Sequence, residues 1–195
     1  MIITDILRKK FQQPLAKIGK AFLQIGLHPN HISILGLIGN AFNAVLIAIG
    51  HLQLAGIGLI VFSLLDALDG IMARFAGTSR IQGSFLDSVV DRFSEMLILV
   101  GLTFYLYKHS SELFLFIAIT ALIGSMMVPY IRAKSESLSI ELKGGICTRV
   151  ERCAILTLCL VVNQPEIGIV LIAILTNITA IQRIIIFYKK TEKTN

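Results

Sequence analysis

Asp66-Ala67-Leu68-Asp69-Gly70-Ile71-Met72-Ala73-Arg74 and, eight residues on, Gly83-Ser84-Phe85-Leu86-Asp87-Ser88-Val89-Val90-Asp91 carry four carboxylates into segments that otherwise read as membrane-spanning helix. An ionised group at membrane depth costs several kcal/mol unless it is hydrated, paired or metal-bound, so such a residue is a functional marker by default. Four of them also repel one another. A divalent cation is the simplest partner that keeps them ionised together.

The spacing sharpens that reading. Asp66 and Asp69 are i, i+3, and Asp87 and Asp91 are i, i+4, so each pair lies on one face of its helix. The short polar turn at Gly77-Thr78-Ser79 makes the two helices antiparallel neighbours, which lets the acidic faces meet. Oxygen ligands suit hard cations, so Mg²⁺ or Mn²⁺ is expected, with two ions sharing bridging carboxylates. Gly70 removes a side chain beside the acids and allows close approach to the backbone. Arg74, one turn further, is placed to meet a phosphate. The plainer alternative, in which the acids pair only with Arg74, Arg80 and Arg92, leaves this spacing unexplained.

Working outward, the chain has 195 residues, of which 55% are hydrophobic and 15% charged. With a mean hydropathy of +0.79 it does not read as a water-soluble globule. Six spans are expected: 32–50, 52–74, 83–107, 113–131, 152–162 and 167–188. Before them, Ile3, Ile6, Leu7, Phe11, Leu15, Ile18, Phe22 and Ile25 recur at helical spacing among Arg8, Lys9, Lys17 and Lys20. That pattern describes an amphipathic helix over residues 1–27 lying in the membrane interface, with 28–190 as a six-helix bundle and 1–195 as a single domain. The fold class is thus an all-α integral membrane protein.

Fifteen basic residues fall on the side of the termini, and Lys108 stands on the other. The positive-inside rule then puts the termini and the acidic quartet on the cytoplasmic face of a cell membrane. The net charge of +6 belongs to that face and suits anionic membrane lipid. It is spread among loops, not gathered on one solvated surface, so no nucleic-acid partner is expected. Cys147, Cys153 and Cys159 have no metal-ligand spacing and read as small apolar residues.

The run Asp66-x-x-Asp69-Gly70-x-x-Ala73-Arg74…Gly83-x-x-x-Asp87-x-x-x-Asp91 resembles the signature of the CDP-alcohol phosphotransferases at every defining position. The turn Pro29-Asn30-x-Ile32-Ser33, the six spans and the N-terminal helix fit the same family. The resemblance implies transfer of a phosphatidyl-type group from a CDP-linked lipid to an alcohol, releasing CMP. It implies that Asp66, Asp69, Asp87 and Asp91 hold the metal ions and that Asp91 is also the general base. It places Asn30, His31, Ile32, Ser33, Gly70, Arg74, Ser79 and Arg80 by the CDP-lipid, and it implies a homodimer. Arg80 departs from the small hydroxyl residue that many relatives carry.

A second, basic cluster bears on the acceptor: Arg132, Lys134, Arg149, Arg152 and Arg183. Several guanidinium groups at one depth form a phosphate pocket more readily than a pocket for a neutral alcohol. The plain alternative is topology signalling plus pairing with Glu136 and Glu151. Tyr130-x-Arg132-Ala133-Lys134-x-Glu136 and Arg149-x-Glu151-Arg152 resemble segments of phosphatidylinositol-phosphate synthases and their archaeal ether-lipid counterparts. A phosphorylated polyol is therefore expected as acceptor, inositol 1-phosphate first and glycerol 3-phosphate second. The rival from another class is a metal or ion transporter, against which stand the one-sided acids and the lack of a repeat.

Overall fold

The computed structural model of the chain describes residues 16–75, 81–142 and 145–192, with only the backbone of 73–75. Helical residues 16–24 form α1. There follow α2 (Pro29–Ala48), α3 (Leu52–Phe75), α4 (Ile81–His109), α5 (Glu112–Ser137), α6 (Arg149–Val161) and α7 (Pro165–Thr191). No strand occurs among the described residues, as the sequence predicts. The expected N-terminal interfacial helix is described only from residue 16; its first part, with Ser79 and Arg80, lies outside the described residues.

Short turns join α2 to α3, α4 to α5 and α6 to α7, and their chemistry is local. At the end of α2, Gly50 takes φ +92°, donates to Ile47 O at 2.9 Å, and is followed by His51 donating to Leu46 O at 2.8 Å. This pair of bonds caps the last carbonyls of the helix, and glycine alone adopts that left-handed backbone without steric cost. Asn163 ends α6 in the same way at φ 58°, with Gln164 donating back to Cys159 O. Two residues, Ser110 and Ser111, separate α4 from α5.

Among the described residues, four helices are long and apolar enough to cross a membrane: Pro29–Ala48, Leu52–Met72, Glu112–Ser137 and Pro165–Thr191. Their outward faces are apolar, and polar side chains are buried among the apolar ones inside. Ile34, Ile38, Phe42 and Val45 of α2 and Leu54, Ile57, Val61 and Leu64 of α3 are exposed, while Asn43, Ser125, Thr176 and Thr179 are buried. Apolar stripes of that extent need a hydrocarbon partner. The protein is therefore an α-helical integral membrane protein. Of the other two expected spans, α4 has 29 residues but carries the acids. The expected fifth span is α6, whose 13 residues rise only ~20 Å. It starts at Arg149, three residues before the expected span, because Thr148 caps it there, and it ends at Val161, just before the left-handed Asn163.

The chain forms two compact units. The first is drawn from Met1–Phe42 and Gly58–Glu95, the second from Asn43–Ile57 and Met96–Asn195. In the first, Ile32, Leu68 and Met72 form a buried cluster with Phe22, Leu23, Leu27 and Leu65 packed against it. This cluster binds α1 to the start of α2 and the end of α3. Gly19 makes the approach close: a methyl there would stand 3.1 Å from Met72 Cγ. In the second unit, α7 packs along α5 and α6. Gly101 of α4 meets the Ala44 backbone of α2 with no side chain between them.

Candidate active site

The metal-ligating face forms in the first unit. Asp66 and Asp69 project one turn apart from the last part of α3, and Asp87 comes from the second turn of α4. One carboxylate oxygen from each lies within 4.8 Å of the others. Three carboxylates this close cannot all stay ionised without a countercharge, and three hard oxygens fit a divalent cation of Mg²⁺ or Mn²⁺ type. The donor set therefore fits the expected metal. Asp91, one turn beyond Asp87 and half-buried, stands outside that group of three. Gly70, beside Asp69, is exposed, and a methyl there would meet nothing within 4 Å. Open space thus borders the acids where the sequence predicts a ligand.

Asp69 is the most enclosed of the three, at 4% exposure. Its Oδ2 accepts a hydrogen bond from Ser33 Oγ at 2.7 Å, joining the first turn of α2 to α3. Sequence spacing gave no sign of this contact, because 36 positions separate the partners. Of the other residues expected by the CDP-lipid, Asn30 and His31 are exposed, and the Ile32 side chain sits in the apolar cluster with Leu68 and Met72. Arg74 falls in the last turn of α3, where the backbone alone is described. Arg92 pairs with Glu95 at 3.4 Å along α4.

The second unit brings together part of the basic cluster. Arg152 on α6 and Arg183 on α7 are 3% and 5% exposed. Arg152 Nη1 donates to Cys147 O at 3.2 Å, and Arg183 Nη1 donates to Val128 O at 2.5 Å. The charges of Arg132 and Arg152 both act on Arg183, with Glu136 opposing them. Gly145 lies against Arg183, where a methyl would come 3.2 Å from Nη2. Cations gathered at low exposure favour an anionic ligand. Arg132 is exposed and pairs with Glu136 at 2.8 Å, and Lys134 is exposed. Arg149 is half-buried in the first turn of α6.

Glu151 has a role beyond the pairing with arginine that the plain alternative gave it. It accepts from the Thr148 backbone N–H at 2.8 Å and from the Thr148 hydroxyl, closing a capping box at the start of α6. The signal was present in the sequence as Thr148-x-x-Glu151.

A membrane-embedded helical protein with three clustered carboxylates and a separate set of buried guanidinium groups has the equipment of a metal-dependent phosphotransferase. Residues 26–186 match the CDP-alcohol phosphatidyltransferase family, and the chain belongs to it. It is 38% identical to the archaetidylinositol phosphate synthase of Pyrococcus horikoshii over 187 residues, covering 95% of this chain and 97% of that protein. It is 31% identical to the phosphatidylinositol phosphate synthase of Mycobacterium tuberculosis, covering 91% and 87%. The crystal structure of the latter enzyme with CDP-DAG bound superimposes with a TM-score of 0.85 at 28% identity, covering 89% of this chain and 93% of that one. The same enzyme has been crystallised with manganese and citrate, and that structure also matches with a TM-score of 0.85.

Proposed function

We propose that this protein transfers the phosphatidyl-type group of a CDP-linked lipid to a hydroxyl of inositol 1-phosphate, releasing CMP. The observation that carries the reading is the meeting of Asp66, Asp69 and Asp87 within 4.8 Å at facing parts of α3 and α4. The similarity to synthases that make inositol-phosphate lipids supports the acceptor, and so do the buried guanidinium groups of Arg152 and Arg183.

In chemical terms, the hydroxyl oxygen attacks the lipid-side phosphorus, a new P–O bond forms, and the P–O bond to the CMP phosphate breaks. Asp66, Asp69 and Asp87, with Asp91, would hold Mg²⁺ or Mn²⁺, which supplies neutralisation of the pyrophosphate and of the leaving CMP. The Asp91 carboxylate takes the proton of the attacking hydroxyl, a role that needs a group within hydrogen-bond reach of the nucleophile. Gly70 leaves room for the pyrophosphate beside the acids. Asn30, His31 and Ile32 in the first turn of α2, together with Arg74, Ser79 and Arg80, bind the cytidine diphosphate. Arg132, Lys134, Arg149, Arg152 and Arg183 bind the phosphate of the acceptor, which orients its hydroxyl.

The lipid substrate also fixes the setting. We read the chain as one functional domain with six spans, preceded by an interfacial N-terminal helix, and with its site on the cytoplasmic side. α4 lies in sequence between α3 and α5 and α6 between α5 and α7, and a short turn leads out of each, which supports a crossing role for both. The basic residues on the side of the termini support the orientation. The lipid tails remain in the bilayer while the headgroup reaches the carboxylates. Assembly as a homodimer completes the proposal.

Purified protein in detergent, given CDP-diacylglycerol and Mg²⁺, should release CMP with inositol 1-phosphate and make a phosphatidylinositol phosphate. Preference for glycerol 3-phosphate would change the acceptor but keep the chemistry. Transfer to free serine or free inositol, with neither phosphate accepted, would overturn the acceptor assignment.

A further inference from the structure

Ser33 donates its hydroxyl to a carboxylate of the acidic cluster. Its single proton has two possible acceptors: the Pro29 carbonyl of its own helix at 3.3 Å and Asp69 Oδ2 at 2.7 Å. The carboxylate is both nearer and charged, and charge-assisted hydrogen bonds are the shorter and stronger kind. Both partners are enclosed, Ser33 at 8% exposure and Asp69 at 4%, so water competes little for either. In such surroundings a hydrogen bond carries more weight than at the surface.

The position of Ser33 is itself held firmly. Ile32, its neighbour, is packed with Leu68 and Met72, the residues that flank Asp69 and lie one turn from it on α3. Phe22, Leu23 and Leu27 close that cluster from the N-terminal side. The α1–α2 junction thus fixes the hydroxyl, and the hydroxyl fixes the carboxylate. A carboxylate has two oxygens, and holding one of them restricts rotation of the group while leaving the other available to a cation.

We infer that Ser33 is a positioning residue of the metal site, which orients Asp69 toward Asp66 and Asp87 and raises their joint affinity for a divalent cation. The inference rests on the metal-holding role given to these aspartates above. It differs from a nucleotide contact, the role expected for Ser33 from the sequence. Removing a hydrogen-bond partner of a metal ligand lowers metal affinity by about 10- to 100-fold in well-studied sites.

The test is a Mn²⁺ titration followed by electron paramagnetic resonance on the full chain in detergent, with CDP-diacylglycerol affinity measured separately in EDTA. Ser33→Ala should weaken Mn²⁺ binding by about 10-fold or more, with its melting temperature and its EDTA-state lipid affinity near wild type. Ser33→Thr, which keeps the hydroxyl, should restore Mn²⁺ affinity. Asp66→Asn is the control that removes a ligand. Unchanged Mn²⁺ affinity in Ser33→Ala, with binding lost in Asp66→Asn, would overturn the role of Ser33 and leave the metal site standing. Weaker CDP-diacylglycerol binding with unchanged Mn²⁺ affinity would return Ser33 to the nucleotide. Equal Mn²⁺ binding by wild type and Asp66→Asn would overturn the metal site itself.

Discussion

Arg183 on α7 donates Nη1 to the main-chain carbonyl of Val128 on α5, the residue just before Pro129. The guanidinium therefore joins two helices while lying in the electrostatic reach of Arg132 and Arg152. Under the proposed function it has a structural and an anion-binding part at once. Arg183→Ala should lower the melting temperature, since a hydrogen bond from a charged group is worth about 1.5–3 kcal/mol. It should also raise the acceptor KM.

Arg132 provides the contrast. Its side chain is 56% exposed, and it pairs with Glu136 one turn away. An exposed i, i+4 pair contributes only about 0.3–0.5 kcal/mol. Arg132→Ala should leave the melting temperature nearly unchanged and still raise the acceptor KM. A fall in stability as large as that of Arg183→Ala would contradict the assignment of the two residues.

Asp91 and the three clustered aspartates divide the work, so their variants should fail differently. Asp91→Asn should cut CMP release by about 10²- to 10⁴-fold, the usual contribution of a positioned base. Mn²⁺ and CDP-diacylglycerol should still bind at least in part. Turnover near wild type in Asp91→Asn would remove its role as base.

Glu151 caps α6 through Thr148, and glutamine can accept the same hydrogen bonds. Glu151→Gln should therefore leave both the acceptor KM and the melting temperature close to wild type. A several-fold drop in KM would mean that its charge had been neutralising the neighbouring arginines.

Close backbone contact between α2 and α4 makes a stability prediction independent of chemistry. A methyl at Gly101 would stand 2.9 Å from the Ala44 Cα, against main chain that cannot rotate away. Gly101→Ala should cost about 1–3 kcal/mol, read as a lower melting temperature in detergent. CMP release per folded molecule should be preserved.

How far the sequence reaches is clearest at particular residues. Asp66, Asp69 and Asp87 were legible because helical spacing places side chains on faces, and the end of α3 and the start of α4 bring two such faces together. The same periodicity predicts the long apolar helices. It misses the first turn of α6, because hydropathy does not register a charged turn that a capping box starts at Thr148. The Ser33–Asp69 bond was not legible, since its partners meet only through packing of the α1–α2 junction on α3. Glu151 was legible as a cap, but its place between Arg149 and Arg152 favoured an ion-pair reading.

The central claim is that α3 and α4 together hold a divalent cation for a CDP-linked lipid. Crystals grown with Mn²⁺ and measured at the manganese absorption edge test it most directly. The account predicts an anomalous peak among the carboxylates of Asp66, Asp69 and Asp87. A peak elsewhere in the protein, with none at these aspartates, would contradict it.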